Sequence, residues 1–348
     1  MTSYRELGDV FGTHRVLEPA NSLPQPAWRL DNDPSRLFET EILLDVETLN
    51  IDAASFRQME EASGGDPEGV ARIVLETVEK RGKQHNRVTG SGGMLLGRVR
   101  SVGSAVEDRG FRPGDRVATL ASLSLTPLRI DRIRKVRPET AQIDVEGQAI
   151  VFASAPLAKL ASDLPERLAL ALYDVAGAAP QAARLVRPGQ TVLVLGAGGK
   201  SGMLCCAEAR RRLGSSGKLV GVESHAPFAA ELRQTGLCDA VIEADARDPL
   251  RVRAAVLEAA GCEADVVFSC VNVPGVEMSA ILATRQRGTV YFFAMSTSFT
   301  AAALGAEGVG RDIDMFIGNG YAEGHAEHTL DLVRTTPPLR DVLTRRYG

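Results

Sequence analysis

Three glycines, Gly196, Gly198 and Gly199, separate the apolar run TVLVL at 191–195 from a helix-forming stretch that opens with Lys200, Ser201 and a fourth glycine, Gly202. Residues of these types in this order can bind a diphosphate. The turn out of the strand needs positive φ, bare backbone lets the anion approach, and the first turn of the helix offers unpaired N–H groups and the positive end of its dipole. A strict GxGxxG spacing puts the third glycine at 201, where this chain has Ser201 followed by Gly202; serine is small enough for the same helix-to-strand packing. The next apolar run, KLVGV, ends at Glu223 and Ser224. A carboxylate there can accept both hydroxyls of an adenosine ribose and repels a 2′-phosphate, so the pattern predicts NAD rather than NADP. In an open parallel sheet the ligand lies over the carboxyl ends of the strands. That adds Cys270, Val271 and Asn272 after ADVVFS, and Met295 after GTVYFFA, although each could equally pack in the core or form a turn.

Other chemistry is argued against by what is missing. No cysteine precedes Cys205, the five cysteines form no CxxC pair, and a zinc site built on thiolates in the first half is excluded. His325 and His328 share a helix face, but with no third ligand nearby they read as a solvated face and no metal is expected. The net charge of −4, with acids and bases mixed along the chain, offers no basic stripe for nucleic acid. No apolar run reaches the roughly 20 residues of a membrane helix, and the start MTSYRELGDVFGTHR lacks a secretory core, so a soluble cytoplasmic protein is expected.

The elements that must position these residues are legible as two patterns. At 348 residues the chain fits two domains. In the first, EILLDVETLN (41–50) and MLLGRVRSV (94–102) alternate apolar and polar residues, and FRPGDRVATL turns into another strand. This is the pattern of half-buried antiparallel strands in a small β-barrel. Between them Val70, Ile73, Val74, Thr77 and Val78 recur at helical spacing after Asp66-Pro67, predicting one inserted helix at 66–81. From 191 onward the runs TVLVL, KLVGV, AVIEA, ADVVFSC and GTVYFFA alternate with helical stretches, the pattern of an α/β parallel sheet with crossover helices. The boundaries read as 1–160 for the barrel, 161–310 for the parallel sheet, and 311–348 for a segment returning to the barrel.

The order of a barrel with GDRV, an alanine-rich helix and RPGQTVLVLGAGG resembles the quinone-oxidoreductase-like branch of the medium-chain dehydrogenases. More closely, FGTHRVLEP, LPQPAWRLDN, TLNIDAASF, GKQHN, VTGSGGMLLG and GAGGKSGMLC are similar to the diaminohexanoate dehydrogenases of lysine fermentation. The resemblance implies a GroES-like barrel followed by a doubly wound Rossmann sheet, a site in the cleft between them, a homodimer, and NAD-dependent oxidative deamination of a small diamino acid. Against zinc alcohol dehydrogenases, the catalytic cysteine corresponds to Asp52 and the histidine-glutamate pair to Ser91 and Gly92, so no metal is implied. The amine must lose a proton before hydride can leave its carbon, which calls for a general base. Asp52, placed where the family's barrel faces the nicotinamide, is the first candidate for base or ammonium anchor, and a turn-forming aspartate is its alternative. Asp174, on the family's linker helix, could hold an ammonium. His14 titrates in the useful range. Arg15 and Arg29 are candidates for the substrate carboxylate, and Trp28 for core or channel lining. Two rival readings stay open, an NADPH-dependent quinone or enoyl reductase and a cofactor-binding relative without turnover.

Overall fold

The computed structural model describes residues 4–87 and 90–348, so that Val88 and Thr89 of the VTGSGGMLLG string lie outside the described residues. The chain divides into two compact units, Met1–Leu160 and Ala161–Gly348.

In the first unit the expected barrel takes the form of a six-stranded antiparallel sheet. Its strands are β1 (Glu41–Asn50), β2 (Met94–Val102), β3 (Arg116–Thr119), β4 (Leu128–Arg137), β5 (Gln142–Phe152) and β6 (Leu157–Lys159), in the order β6-β3-β2-β1-β5-β4. The alternation of EILLDVETLN predicts one wet face for β1. Instead the strand lies at the sheet's centre and is buried along most of its length. The core closes over both its faces, and Glu41 carries its charge inside because Arg15 meets it there.

Between β1 and β2 stand two helices where periodicity predicts one, α1 (Ala53–Ala62) and α2 (Pro67–Arg81). The sequence of α1 hides it, since Phe56 and Met59 alone make too short an apolar stripe to register a period. Helix α2 starts at Asp66, whose carboxylate accepts from the N–H groups of Glu68 and Gly69 at 3.1 and 2.9 Å. Pro67 takes the first helical position, where a missing N–H costs nothing. Val70, Val74 and Val78 then bury against the core, and Gly82 ends the helix at φ 66°.

The second unit is a six-stranded, wholly parallel sheet. Its strands are β7 (Thr191–Leu195), β8 (Lys218–Glu223), β9 (Ala240–Glu243), β10 (Ala264–Ser269), β11 (Thr284–Phe292) and β12 (Asp314–Ile317), in the order β9-β8-β7-β10-β11-β12. Helices α3 (Glu166–Tyr173) and α4 (Ala178–Leu185) precede it, and α5 (Lys200–Leu213), α6 (Ala226–Thr235), α7 (Pro249–Ala260), α8 (Glu277–Ala283) and α9 (Phe299–Gly308) link its strands. The strand order reverses at β7, which places the ligand crevice beyond the carboxyl ends of β7, β8 and β10.

The segment from 311 belongs to this second compact unit. Asp314–Ile317 adds the edge strand beside β11. Helix α10 (His325–Thr335) packs on α3 and α4, and α11 (Pro337–Tyr347) on α3, α5 and α6, burying Leu330, Leu332, Leu339 and Leu343. The short DMFI run is mostly exposed at the sheet edge, and its three apolar residues are too few to mark a strand. Among the described residues no helix is long and apolar enough to cross a membrane.

Candidate active site

Strand β7 is buried throughout and ends at Gly196, which turns at φ 71°. The N–H groups of Gly196 and Ala197 both reach the Val222 carbonyl, at 2.9 and 3.0 Å, so the loop bends over the end of β8 before Gly199 caps α5. The close helix-to-strand packing assigned to Ser201 belongs to its neighbour. A Cβ on Gly202 would lie 2.1 Å from the Gly196 carbonyl oxygen, whereas Ser201 sits half-buried in the helix's first turn. A Cβ on Gly198 would press within 2.9 Å of the Glu223 carboxylate. The loop is thus a cradle that side chains would fill, opening on the unpaired N–H groups of α5.

Glu223, at the end of β8, is 8% exposed and fixed by two backbone amides. Its Oε2 accepts from Gly198 N at 3.1 Å and its Oε1 from His225 N at 2.9 Å, which leaves acceptor capacity on both oxygens for a pair of hydroxyls. A cleft of about 330 Å³ opens beside it. Gly196, Gly199, Glu223 and Ser224 form one side, and Cys270, Val271 and Asn272 line it from the end of β10. Sequence reasoning missed His225, Phe228, Asp245 and Arg247, which complete the wall. Their signal was available, since 245–247 follow β9 just as 224–225 follow β8. Met295 does not line this cleft; it is 87% exposed.

Lys200 and Asp174, nominated separately, meet each other. Lys200 Nζ donates to Asp174 Oδ2 at 2.7 Å, so Asp174 already holds the ammonium of a neighbour. Arg346 of α11 supports the loop from behind. It donates to the Gly198 carbonyl at 2.6 Å, pairs with Glu231, and stacks 3.9 Å from the Phe228 ring centre. No local signal marks this arginine, because 148 residues separate it from its loop partner.

In the first unit the candidates part company. His14 is committed at both nitrogens: Nδ1 accepts from Asp9 N at 2.9 Å, which fixes the proton on Nε2 for donation to Glu41 Oε1 at 2.8 Å. Arg15 is fully buried and grips both oxygens of Glu41 at 2.8 and 2.7 Å, with Asp31 at 3.5 Å, so neither His14 nor Arg15 is open to a substrate. Burial pushes the Glu41 carboxyl up, but the bonds from Arg15 and His14 outweigh it and hold it below the usual range. Arg29 lies exposed on a short strand.

Asp52 keeps one oxygen uncommitted. Oδ1 caps α1 by accepting from Ser55 N at 2.8 Å, while the buried Oδ2 has no hydrogen-bond partner among the described residues. An acceptor left bare in this way suits an ammonium proton. A Cβ on Gly92 would lie 2.3 Å from the Gln84 carbonyl oxygen, so no larger side chain has room there. His325 is buried edge-on to Tyr321 and His328 faces Glu208 at 3.4 Å. Among the described residues no three His, Cys, Asp or Glu side chains gather to hold a metal.

Residues 14–161 match the model of the L-erythro-3,5-diaminohexanoate dehydrogenase N-terminal domain. Over 342 residues, covering 98% of this chain and 99% of the relative, the sequence is 51% identical to the L-erythro-3,5-diaminohexanoate dehydrogenase of Acetoanaerobium sticklandii. The chain belongs to the L-erythro-3,5-diaminohexanoate dehydrogenase family. A second family member, from Fusobacterium nucleatum, is 50% identical over the same share of both chains. Solved structures of other oxidoreductases share the fold. The alcohol dehydrogenase of Thermus sp. ATN1 superposes with a TM-score of 0.53 at 19% identity, covering 89% of this chain and 86% of that one. A mycobacterial quinone oxidoreductase does so at 0.52 and 17%, covering 88% and 81%. The chain is therefore an oxidoreductase of the dehydrogenase kind with a two-domain α/β fold.

Proposed function

We propose that this chain catalyses the NAD-dependent oxidative deamination of L-erythro-3,5-diaminohexanoate to 5-amino-3-oxohexanoate and ammonia, a step of lysine fermentation. The observation that carries the substrate is the 51% identity, end to end, to a protein bearing that name. The second unit fits the cofactor: Gly196, Gly198 and Gly199 would hold the diphosphate against the start of α5, and Glu223 the adenosine ribose, with its charge opposing a 2′-phosphate. Bound there, NAD supplies the acceptor for a hydride.

The chain's own work is proton handling. The amine on C3 is an ammonium at neutral pH, and its lone pair must be free before the C3–H bond can yield its electron pair. Asp52 Oδ2 takes that proton. Water then adds to the C3=N carbon of the resulting iminium, and the carbinolamine loses its nitrogen as ammonia. In sum, ammonium substrate, NAD+ and water give ketone, ammonium ion, NADH and one proton.

The test is NADH formation from 3,5-diaminohexanoate, run in parallel with NADP. The reading expects turnover with NAD and little with NADP; wild-type inactivity with both would end it. Glu223→Ala should raise KM for NAD roughly 10- to 100-fold, since a carboxylate–hydroxyl contact is a strong charge-assisted bond, and should narrow the preference over NADP. Initial rates with each cofactor check this, and an unchanged preference would remove Glu223 from the role.

A further inference from the structure

A pocket of about 460 Å³ between α1, α2 and residues 81–87 holds more positive charge than its surroundings answer. Trp28 forms one wall. The guanidinium carbons of Arg81 and Arg87 lie 4.5 and 5.3 Å from its ring centre, and Lys80 Nζ lies at 5.6 Å. Behind them the fully buried Lys83 donates to the carbonyls of Pro24 and Gln25 at 2.7 and 2.9 Å. None of these cations has a carboxylate at ion-pair distance among the described residues, and Glu76 is the single acid among the described lining residues. Neighbouring groups register the excess. Burial and then Arg81 bring Lys83 down to about 7; burial and then Arg81, Lys83 and Arg87 bring His85 down to about 4.

A second observation points to a ligand. Gln84 lines the pocket, is 2% exposed, and its Oε1 has no hydrogen-bond partner among the described residues. A buried carbonyl oxygen left bare is costly unless a ligand donates to it. Met59, Ala62 and Ile73 supply an apolar wall. Arg81 already donates to the carbonyls of Trp28 and His85, at 3.1 and 3.4 Å, but among the described residues neither it nor Arg87 has a counter-ion. Such guanidiniums ask for an anion, the orphan oxygen for an N–H donor, and the wall for a short carbon chain. One molecule that answers all three is an amino acid whose carboxylate and ammonium are set apart along an aliphatic chain.

We propose that this pocket anchors the amino-acid substrate, with Arg81 and Arg87 taking its carboxylate and Gln84 Oε1 one of its ammonium groups. The identity of that ligand as 3,5-diaminohexanoate rests on the functional reading above. The assignment replaces Arg15, which is buried against Glu41, with arginines that have no internal anion.

Trp28 is the chain's single tryptophan, so its fluorescence reads the pocket without turnover. The full chain is titrated, without nicotinamide, with 3,5-diaminohexanoate and with its C1 carboxamide. The wild type should bind the acid at least about tenfold more tightly than the amide. Arg87→Gln, at an exposed position, should weaken the acid roughly 10- to 100-fold and leave the amide unchanged. Gln84→Leu should weaken both alike, since both carry the ammonium groups. Equal binding of acid and amide by the wild type, or a preference that survives Arg87→Gln, overturns the pocket even if NADH forms. A charge-dependent Trp28 response without NADH formation supports the pocket and overturns the functional reading instead.

Discussion

Asp52→Asn is expected to lower kcat with 3,5-diaminohexanoate by about 100- to 10,000-fold, the range lost when a positioned proton acceptor is removed. The substitution separates two jobs held by one carboxylate. Asparagine caps helices as well as aspartate does, so the bond to Ser55 N survives and the melting temperature should hardly move. What disappears is the basicity of Oδ2, the oxygen left without a partner. A kcat within a few-fold of wild type would mean that Asp52 only caps the helix. A matching fall in stability would mean that the cap, not the proton, was lost.

Glu41→Gln should destabilise the first unit by about 3–5 kcal/mol, the usual cost of stranding a buried charge. Glu41 is fully buried, and it answers the equally buried Arg15, the His14 ring and the Phe38 N–H. Glutamine keeps the shape but removes the buried counter-ion, leaving the guanidinium only the longer pair to Asp31 at 3.5 Å. The pH dependence has a definite sign. Because the folded carboxyl titrates below its ordinary range, its contribution is complete above the unfolded value and is lost as pH falls through the folded one. The gap between wild type and variant should therefore shrink in acid. Denaturant unfolding followed by Trp28, which lies in this unit, measures it at neutral and acid pH. A gap that is absent at neutral pH, or that widens in acid, would contradict the account.

Local patterns showed where the glycine loop lies, because strand, glycines and helix are contiguous in the sequence. Glu223 was legible for the same reason, as the acid at the tip of the next strand. The close packing fell to Gly202 rather than Ser201 because which residue of the first turn meets the Gly196 carbonyl is set in three dimensions, not by spacing alone. The parallel strands showed as apolar runs, but DMFI, with three apolar residues, was too short to mark one. The roles of His14 and Arg15 were out of reach, since they depend on Glu41 arriving from another strand. Asp174 was likewise chosen without sight of Lys200, and Arg346 without sight of the loop it supports. Residue type names a chemistry; which oxygen or nitrogen remains uncommitted is decided by tertiary pairing.

The most direct test of the central claim is a product balance. Purified enzyme, NAD and L-erythro-3,5-diaminohexanoate are incubated, and NADH and ammonia are measured in the same samples over time. The account predicts that the two appear together in equimolar amounts and that neither forms without the amine. NADH accumulating with no ammonia, or no NADH at all, would contradict it.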